Sequence, residues 1–445
     1  MNGPHPFSIP DYRAYWISRF MAVLATMGMV VVIGYQVYDI ARSDYGMSIK
    51  EASFQLGLLG LFQFIPLALL TPVAGWAADR WERRTVARFA MGIDMIVALA
   101  LGWFTMQDTL TLPLLFIFAA LHGVARVFTG PSMSAIAPNI VPPESLPRAI
   151  ALSSIAWQIG SVFGPALGGL LFAANPALPY WYSAGLLLLA SLSISMIRPV
   201  FPPPMERKVH PFRQMIDGIR YTWSERFLLG AITLDLFAVL LAGATALLPV
   251  YARDILHVGP DGLGQLRAAP AVGAAMVALL LAFRPLRHNV GVKMLWAVVV
   301  FGIATIGFGF SHEIGSRVFD NGRIDTLNMD AAMAVALFML VVLGASDMLS
   351  VYVRSSLVQL NTPDDMRGRV SAVSGLAISA SNELGELQSG LASAVLGPVG
   401  AVVAGGAAAI VVTGIWAGLF PELKNAQTFE PQYRNRSSGS NSLTS

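Results

Sequence analysis

Cysteine is absent from this 445-residue chain, and charge is scarce, with Asp, Glu, Lys and Arg together at 12%. Without thiols there is no disulfide framework, no thiolate metal site and no trace of the redox compartment. A soluble domain carries about a quarter charged residues, so this deficit points away from a surface built for water. Lysine occurs only at positions 50, 208, 293 and 424, and none completes a Gly-x-x-x-x-Gly-Lys-[Ser/Thr] phosphate loop. That argues against an ATP-driven pump. The six histidines are scattered and form no HExxH or comparable metal pattern. No nucleophile stands beside a base, so an intramembrane enzyme is not expected. Neither a metal, a cofactor nor a nucleic-acid partner is expected.

Long apolar runs are what the chain has instead. Hydrophobic residues make up 55%, and the mean hydropathy is +0.62. A membrane span needs about 20 mostly apolar residues. Such spans fall near 14–41, 53–78, 85–107, 111–136, 147–173 and 178–198, then 226–252, 262–284, 291–311, 330–354, 367–394 and 397–420. The polar start "MNGPHPFSIPDYRAYW" runs into the first of these with no small-residue cleavage site, so no cleavable signal peptide is expected. With the N-terminus in the cytoplasm, 23 of the 29 lysines and arginines fall on the inner side. This is the positive-inside bias, and it predicts that both termini are cytoplasmic.

The spans divide six and six. Residues 1–198 form one predicted bundle, 226–422 a second, and 423–445 a disordered cytoplasmic tail rich in Ser, Asn and Gly. The linker 199–225 opens with "PVFPPP", which cannot continue a helix. It then places Phe212, Met215, Ile216, Ile219 and Trp223 on one helical face, away from Arg213, Asp217 and Arg220. A short amphipathic helix on the inner membrane surface fits that pattern.

The two halves echo one another. At an offset of 221, Pro142, Arg148, Ala151, Ser153, Gly164 and Gly169 match Pro363, Arg369, Ala372, Ser374, Gly385 and Gly390. Two similar six-helix bundles facing each other across a central cavity are expected, an arrangement that supports alternating access.

Six charged residues lie clearly inside predicted spans, away from their ends: Asp94, Arg126, Asp235, Asp347, Glu383 and Glu386. Each costs about 2.5–3.5 kcal/mol at a span centre on insertion scales, so such groups face a bundle interior or a wet cavity. A buried carboxyl that can take up a proton is the minimum chemistry for proton coupling. Glu383 and Glu386, in "SNELGELQSG", are three residues apart and share a helical face. They are expected to titrate as a coupled pair or to enter a structural network. His122 is one turn before Arg126, and Arg126 can pair with Asp94. Gln36, Gln63 and Gln158 offer neutral hydrogen bonds to a ligand, and Asp39 caps or orients the outer end of the first span.

"GWAADRWERR", residues 75–84, resembles the signature loop of the major facilitator superfamily. "YQVYDIARS", "ARVFTGPSMSAIAPNIVPPESLPRAIALSS" and "SLVQLNTPDDMRGRVSAVSG" resemble the branch that holds enterobactin exporters and macrolide or multidrug efflux proteins. The resemblance covers residues 8–422. It implies an all-α membrane protein with 12 transmembrane helices in two six-helix bundles around a central cavity. It also implies that Gly75, Asp79, Arg80, Arg83 and Arg84 form a latch favouring the outward-facing state. Gly75 would let the second span approach a neighbour closely. "GSVFGPALGG" resembles the family's antiporter motif through Gly160, Gly164, Pro165, Gly168 and Gly169, with Ala151 where an upstream glycine would stand. These small residues are expected to pack the fifth span across the interface of the halves.

In this superfamily the first, fourth, seventh and tenth spans line the cavity. That favours Arg126, Asp235 and Asp347, with Asp235 as proton carrier or cation contact; for Arg126 and Asp347 a structural salt bridge is expected ahead of substrate contact. The expected function is proton-coupled export of a siderophore or an amphipathic, drug-like compound from the bacterial inner membrane, by a monomer. An importer or lipid flippase on the same fold stands as an alternative. A transport-inactive receptor or partner subunit is the alternative of another class.

Overall fold

In the computed structural model the described residues are 4–201, 211–284, 286–318, 323–324 and 329–429. They are almost entirely helical. The helices are α1 (Pro10–Ser43), α2 (Ile49–Arg80), α3 (Arg83–Met106), α4 (Leu112–Ile140), α5 (Leu146–Ala174), α6 (Leu178–Ser195) and α7 (Pro211–Ser224). Next comes α8 (Arg226–Leu241), then a short α9 (Leu248–Val250) that runs into a π-helical turn, Tyr251–Ile255. The chain continues through α10 (Gly259–Phe283), α11 (Val290–Gly309), α12 (Ser311–Val318) and α13 (Ala331–Asn361). It ends with α14 (Asp364–Leu396), α15 (Pro398–Leu419) and α16 (Pro421–Lys424). Strands β1 (Arg323–Ile324) and β2 (Met329–Asp330) pair antiparallel just before α13.

Twelve of these segments are the expected spans. Eleven pass as long and apolar enough to cross a membrane among the described residues. The twelfth, α14, has 33 residues, enough to span about 50 Å, and is set apart only by its polarity. Helix α7 covers residues 211–224 of the linker, and it leaves Ile216 and Trp223 exposed. Residues 202–210 of the linker and 430–445 of the tail lie outside the described residues.

Two compact units result. One holds residues 1–208, 245–271 and 390–398; the other holds 209–244, 272–389 and 399–445. The boundaries pass within α10 and α14.

In the first unit α1 and α5 cross closely because α5 places Gly160, Gly164 and Gly168 at the crossing. A Cβ on Gly164 would sit 2.7 Å from the Leu24 carbonyl oxygen, inside van der Waals contact. Hydroxyl groups join the same helices below the crossing. Tyr12 donates to the Ala149 carbonyl at 2.6 Å, and Tyr15 meets Ser153 at 3.2 Å. In a low-dielectric interior such bonds replace the water that a membrane helix lacks.

The internal repeat is visible in these contacts. Gly164 of α5 lies against α1, and its counterpart Gly385 of α14 lies against Val239 and Leu240 of α8. Gly169 of α5 meets Gly264 of α10, and its counterpart Gly390 of α14 meets Gly57 of α2. The sequence offset therefore corresponds to equivalent helix partners.

Candidate functional site

The second unit buries one cation among carboxyl groups. Arg354 of α13 donates from Nη1 to Asp235 Oδ2 of α8 at 2.6 Å, with side-chain exposures of 3% and 8%. Asp347, on α13 two turns before Arg354, interacts electrostatically with both. Asp235, Asp347, Ser346 and Ser350 line a pocket about the size of a water molecule, together with Ala238, Val239, Val298 and Phe301. Asp235 pairs with a guanidinium that never deprotonates and Asp347 interacts with both charges, so a single proton brings the cluster to neutrality. The sequence places Arg354 at the inner end of the tenth span, among the topology-setting cations. In the structure α13 continues to Asn361 and buries Arg354 against Asp235.

The first unit holds a second buried charged cluster. His122 Nδ1 of α4 and Asp94 Oδ1 of α3 are 2.6 Å apart, and their side chains are 0% and 5% exposed. Thr26 of α1 donates to Asp94 Oδ2 at 3.5 Å. One turn along α4, Arg126 donates to Gln63 Oε1 of α2 at 3.2 Å. Asp94 thus pairs with His122, a partner the sequence reading did not choose for it. At the 221-residue offset Arg126 falls on Asp347, so equivalent positions carry opposite charges.

The other polar candidates are spoken for within the first unit. Gln36 is buried, donates to Thr105 at 3.1 Å and accepts from the Tyr180 hydroxyl at 2.6 Å. Gln158 donates to the Ala271 carbonyl at 2.8 Å. On α14, Glu383 is buried and Glu386 half-buried, one turn apart.

A crossed set of ion pairs closes the C-terminal end of α1. Arg42 contacts both carboxylate oxygens of Asp254 at 3.3 Å, and Tyr38 donates to Asp254 at 2.5 Å. One residue away on each side, Arg253 meets Asp39 at 2.5 Å. The π-helical turn presents Arg253 and Asp254 side by side, as such extra-residue turns do at functional sites. Asp39 is therefore an ion-pair partner and does more than cap α1. Sequence alone gives no register between α1 and residues 251–255.

The signature loop is held by its own unit. Arg84 donates to the Ile197 carbonyl at 2.6 Å and to Glu82 at 2.9 Å. Arg83 donates to the Ala135 carbonyl at 3.0 Å. Arg80 lies over the Trp76 ring at 5.3 Å. Glu82, unremarked in the motif, caps α3 through Thr85 and accepts from the Val200 N–H at 3.2 Å. Burial alone would raise its pKa. The Thr85 hydroxyl, the Val200 N–H and the Arg84 guanidinium outweigh that and hold it below the usual glutamate range. The side chain of Asp79 lies outside the described residues. Gly75 does not make the expected close approach, since a Cβ there would meet no described atom within 4 Å.

The antiporter-like motif serves two partners. Gly160, Gly164 and Gly168 face α1, while Gly169 faces Pro260 and Gly264 of α10. Most of the motif thus packs α5 against α1 of its own bundle, because three of its glycines share the α1-facing side. Pro165 is buried on the same helix.

Comparison with known proteins agrees with this architecture. The family profile described as Major Facilitator Superfamily matches residues 15–386. The enterobactin exporter EntS of Citrobacter koseri is 25% identical over 407 residues, covering 89% of this chain and 90% of its own. The protein of the same name from Escherichia coli O127:H6 is 24% identical over 426 residues, covering 95% of both. Among solved structures, a D-xylose–proton symporter superposes with a TM-score of 0.67 at 13% identity, covering 95% of this chain and 99% of that one. A bacterial homologue of the iron transporter ferroportin gives 0.63 at 16% identity, covering 92% and 98%.

Proposed function

This chain belongs to the major facilitator superfamily, and from that premise we propose that it is a proton-coupled exporter of a siderophore or a similar amphipathic compound. Transport of a small molecule across the membrane follows from the family. The direction and the class of substrate rest on the similarity to enterobactin exporters along nearly the whole chain. The coupling ion rests on one observation, the buried Asp235–Arg354 pair with Asp347 beside it.

The proposed cycle follows from charge. With both carboxyl groups ionised the cluster carries one net negative charge, which is costly in a low-dielectric interior. One proton removes that charge. A transporter that exposes the cluster to one side of the membrane and then the other exchanges the proton with each compartment in turn. Substrate that binds preferentially to the deprotonated form leaves as the proton enters. In this reading the chain lies in the bacterial inner membrane with both termini in the cytoplasm. Loop 75–84 acts as a latch, in which Arg83 and Arg84 hold their own unit.

The test is transport in proteoliposomes with an imposed pH gradient, using enterobactin and a panel of lipophilic cations and macrolides. Gradient-driven accumulation of one of these by the wild type, lost in D347N and D235N, is the expected result. Equal rates with and without the gradient would remove proton coupling. Movement in the opposite direction, or of lipid alone, would establish the importer or flippase reading.

A further inference from the structure

The cluster in the second unit is not the only buried titratable group. His122 is fully buried on α4, about 15 Å from the helix start at 1.5 Å per residue. Its Nδ1 is engaged by Asp94, and its Nε2 is enclosed by protein with no hydrogen-bond partner among the described residues. A structural histidine in an apolar bundle uses both ring nitrogens or turns one toward water, because an unmade buried bond costs about 1–3 kcal/mol. Here one nitrogen is fixed by a short bond to a carboxyl, and the other is kept empty-handed.

We propose that the His122–Asp94 dyad is a second proton-binding site, located in the first unit and loaded and unloaded through His122 Nε2. The bookkeeping of charge is simple. In the unloaded state the neutral imidazole donates from Nδ1 to the Asp94 carboxylate, and the dyad carries one negative charge. A proton from water adds to the Nε2 lone pair and gives an imidazolium–carboxylate pair with no net charge. Release returns the proton to water from the same atom. No other bond forms or breaks.

The surroundings fit that exchange. Asp94 comes from α3, and its second oxygen accepts from Thr26 of α1, which keeps the carboxyl oriented toward the ring. Gln63 of α2 packs against α4 at Gly123, where a Cβ would lie 3.2 Å from the Gln63 carbonyl oxygen. Arg126, one turn further along α4, is tied to the Gln63 side chain. Among the described residues, Asp94 is the charged group bonded to the ring, and Arg126 lies one turn along the same helix. Nε2 is sealed here, so exchange requires a different arrangement of the helices, as a coupled transporter demands of a proton site. Such a site lets each unit titrate through its own group: His122 with Asp94 in one, Asp347 with Asp235 and Arg354 in the other.

This inference deepens the proton-coupled reading, yet its test does not use transport. The chain has six histidines, and a variant with glutamine at the other five (positions 5, 210, 257, 288 and 312) leaves His122 as the lone imidazole. Side-chain 15N resonances of this full-length variant, labelled at histidine in micelles, report the protonation state directly. The expected result is a change from one neutral tautomer to imidazolium within about pH 5–9. The midpoint should move by at least about one pH unit when D94N is added, because the charged partner is removed. A ring that holds one protonation state across this range, or a midpoint indifferent to D94N, overturns the proposal. H122Q in the otherwise natural chain must also lose the corresponding proton uptake in a pH-jump measurement with an indicator dye. Unchanged uptake would equally count against the site. If the dyad titrates while export ignores the gradient, the coupled-export reading fails and the dyad stands. If the dyad is silent while D347N uncouples export, only the dyad falls.

Discussion

Arg354 and Asp235 form a 2.6 Å ion pair in which neither side chain is more than 8% exposed. Removing one partner leaves the other charged in an apolar interior. R354Q should therefore cost about 3–5 kcal/mol, the range for breaking a buried pair. Thermal melting followed by tryptophan fluorescence in micelles checks this. R354K should recover little, because an ammonium cannot reproduce the planar donor fork. The double variant D235N/R354Q should melt closer to the wild type than R354Q does and still fail to concentrate substrate. A fully stable R354Q would show that the pair carries no structural load.

D347N separates charge from shape. The amide is nearly isosteric and cannot ionise. In the proposed cycle it leaves facilitated, downhill movement of substrate intact and abolishes the response to a pH gradient. The contrast between downhill and gradient-driven uptake in one preparation is the readout. Retained gradient-driven accumulation would assign the proton elsewhere.

Glycine substitutions should divide sharply. Gly164→Ala places a methyl group 2.7 Å from the Leu24 carbonyl oxygen, where backbone on both sides prevents relaxation. A loss of about 1–3 kcal/mol is expected, as for other overpacked sites. Gly75→Ala meets no described atom within 4 Å and should melt like the wild type or slightly above it. If Gly75→Ala nevertheless slows transport, its role belongs to a conformation other than this one.

Glu82 gives a pH signature. Its pKa is held below the usual glutamate range by Thr85, Val200 and Arg84 against the opposing effect of burial. A carboxyl depressed on folding stabilises the protein above its unfolded pKa, near about 4.3. That contribution is lost as pH falls through the lower folded value. E82Q should therefore lower the melting temperature at neutral pH, and the difference from wild type should shrink on acidification below about pH 4. A gap that is constant with pH would mean that charge is not what Glu82 contributes.

The ion pairs Arg42–Asp254 and Arg253–Asp39 join the end of α1 to the π-helical turn. They are partly exposed, so a double-mutant cycle on Arg42 and Asp254 should give a modest coupling, about 1–2 kcal/mol. The charge swap R42D/D254R should recover part of what either single change loses. Additive single effects would show that the contact contributes nothing.

Much of the molecule was decided locally. Apolar runs about 20 residues long can exist in a bilayer only as helices, because every backbone amide must be satisfied within its own segment. That fixed the spans, including the polar α14. The prolines of "PVFPPP" cannot continue a helix, and apolar spacing made 211–224 an amphipathic helix. The 221-residue offset predicted equivalent packing of Gly164 and Gly385, since the close approach of two helices depends on the small residue itself.

Which charges meet depended on the packing of distant segments. Arg354 reads as a topology-setting cation in a one-dimensional profile, and only the length and rotation of α13 bury it against Asp235. Asp94 and His122 are 28 residues apart on neighbouring helices, and Asp39 and Arg253 are 214 apart. A side chain's worth in a membrane is set by what it faces, and facing is a property of helix register and rotation about the helix axis. The sequence determined that this chain crosses the membrane many times and carries charge inside it. The tertiary structure decided which charges are partners, because a few ångströms of register separate an ion pair from an unpaired charge.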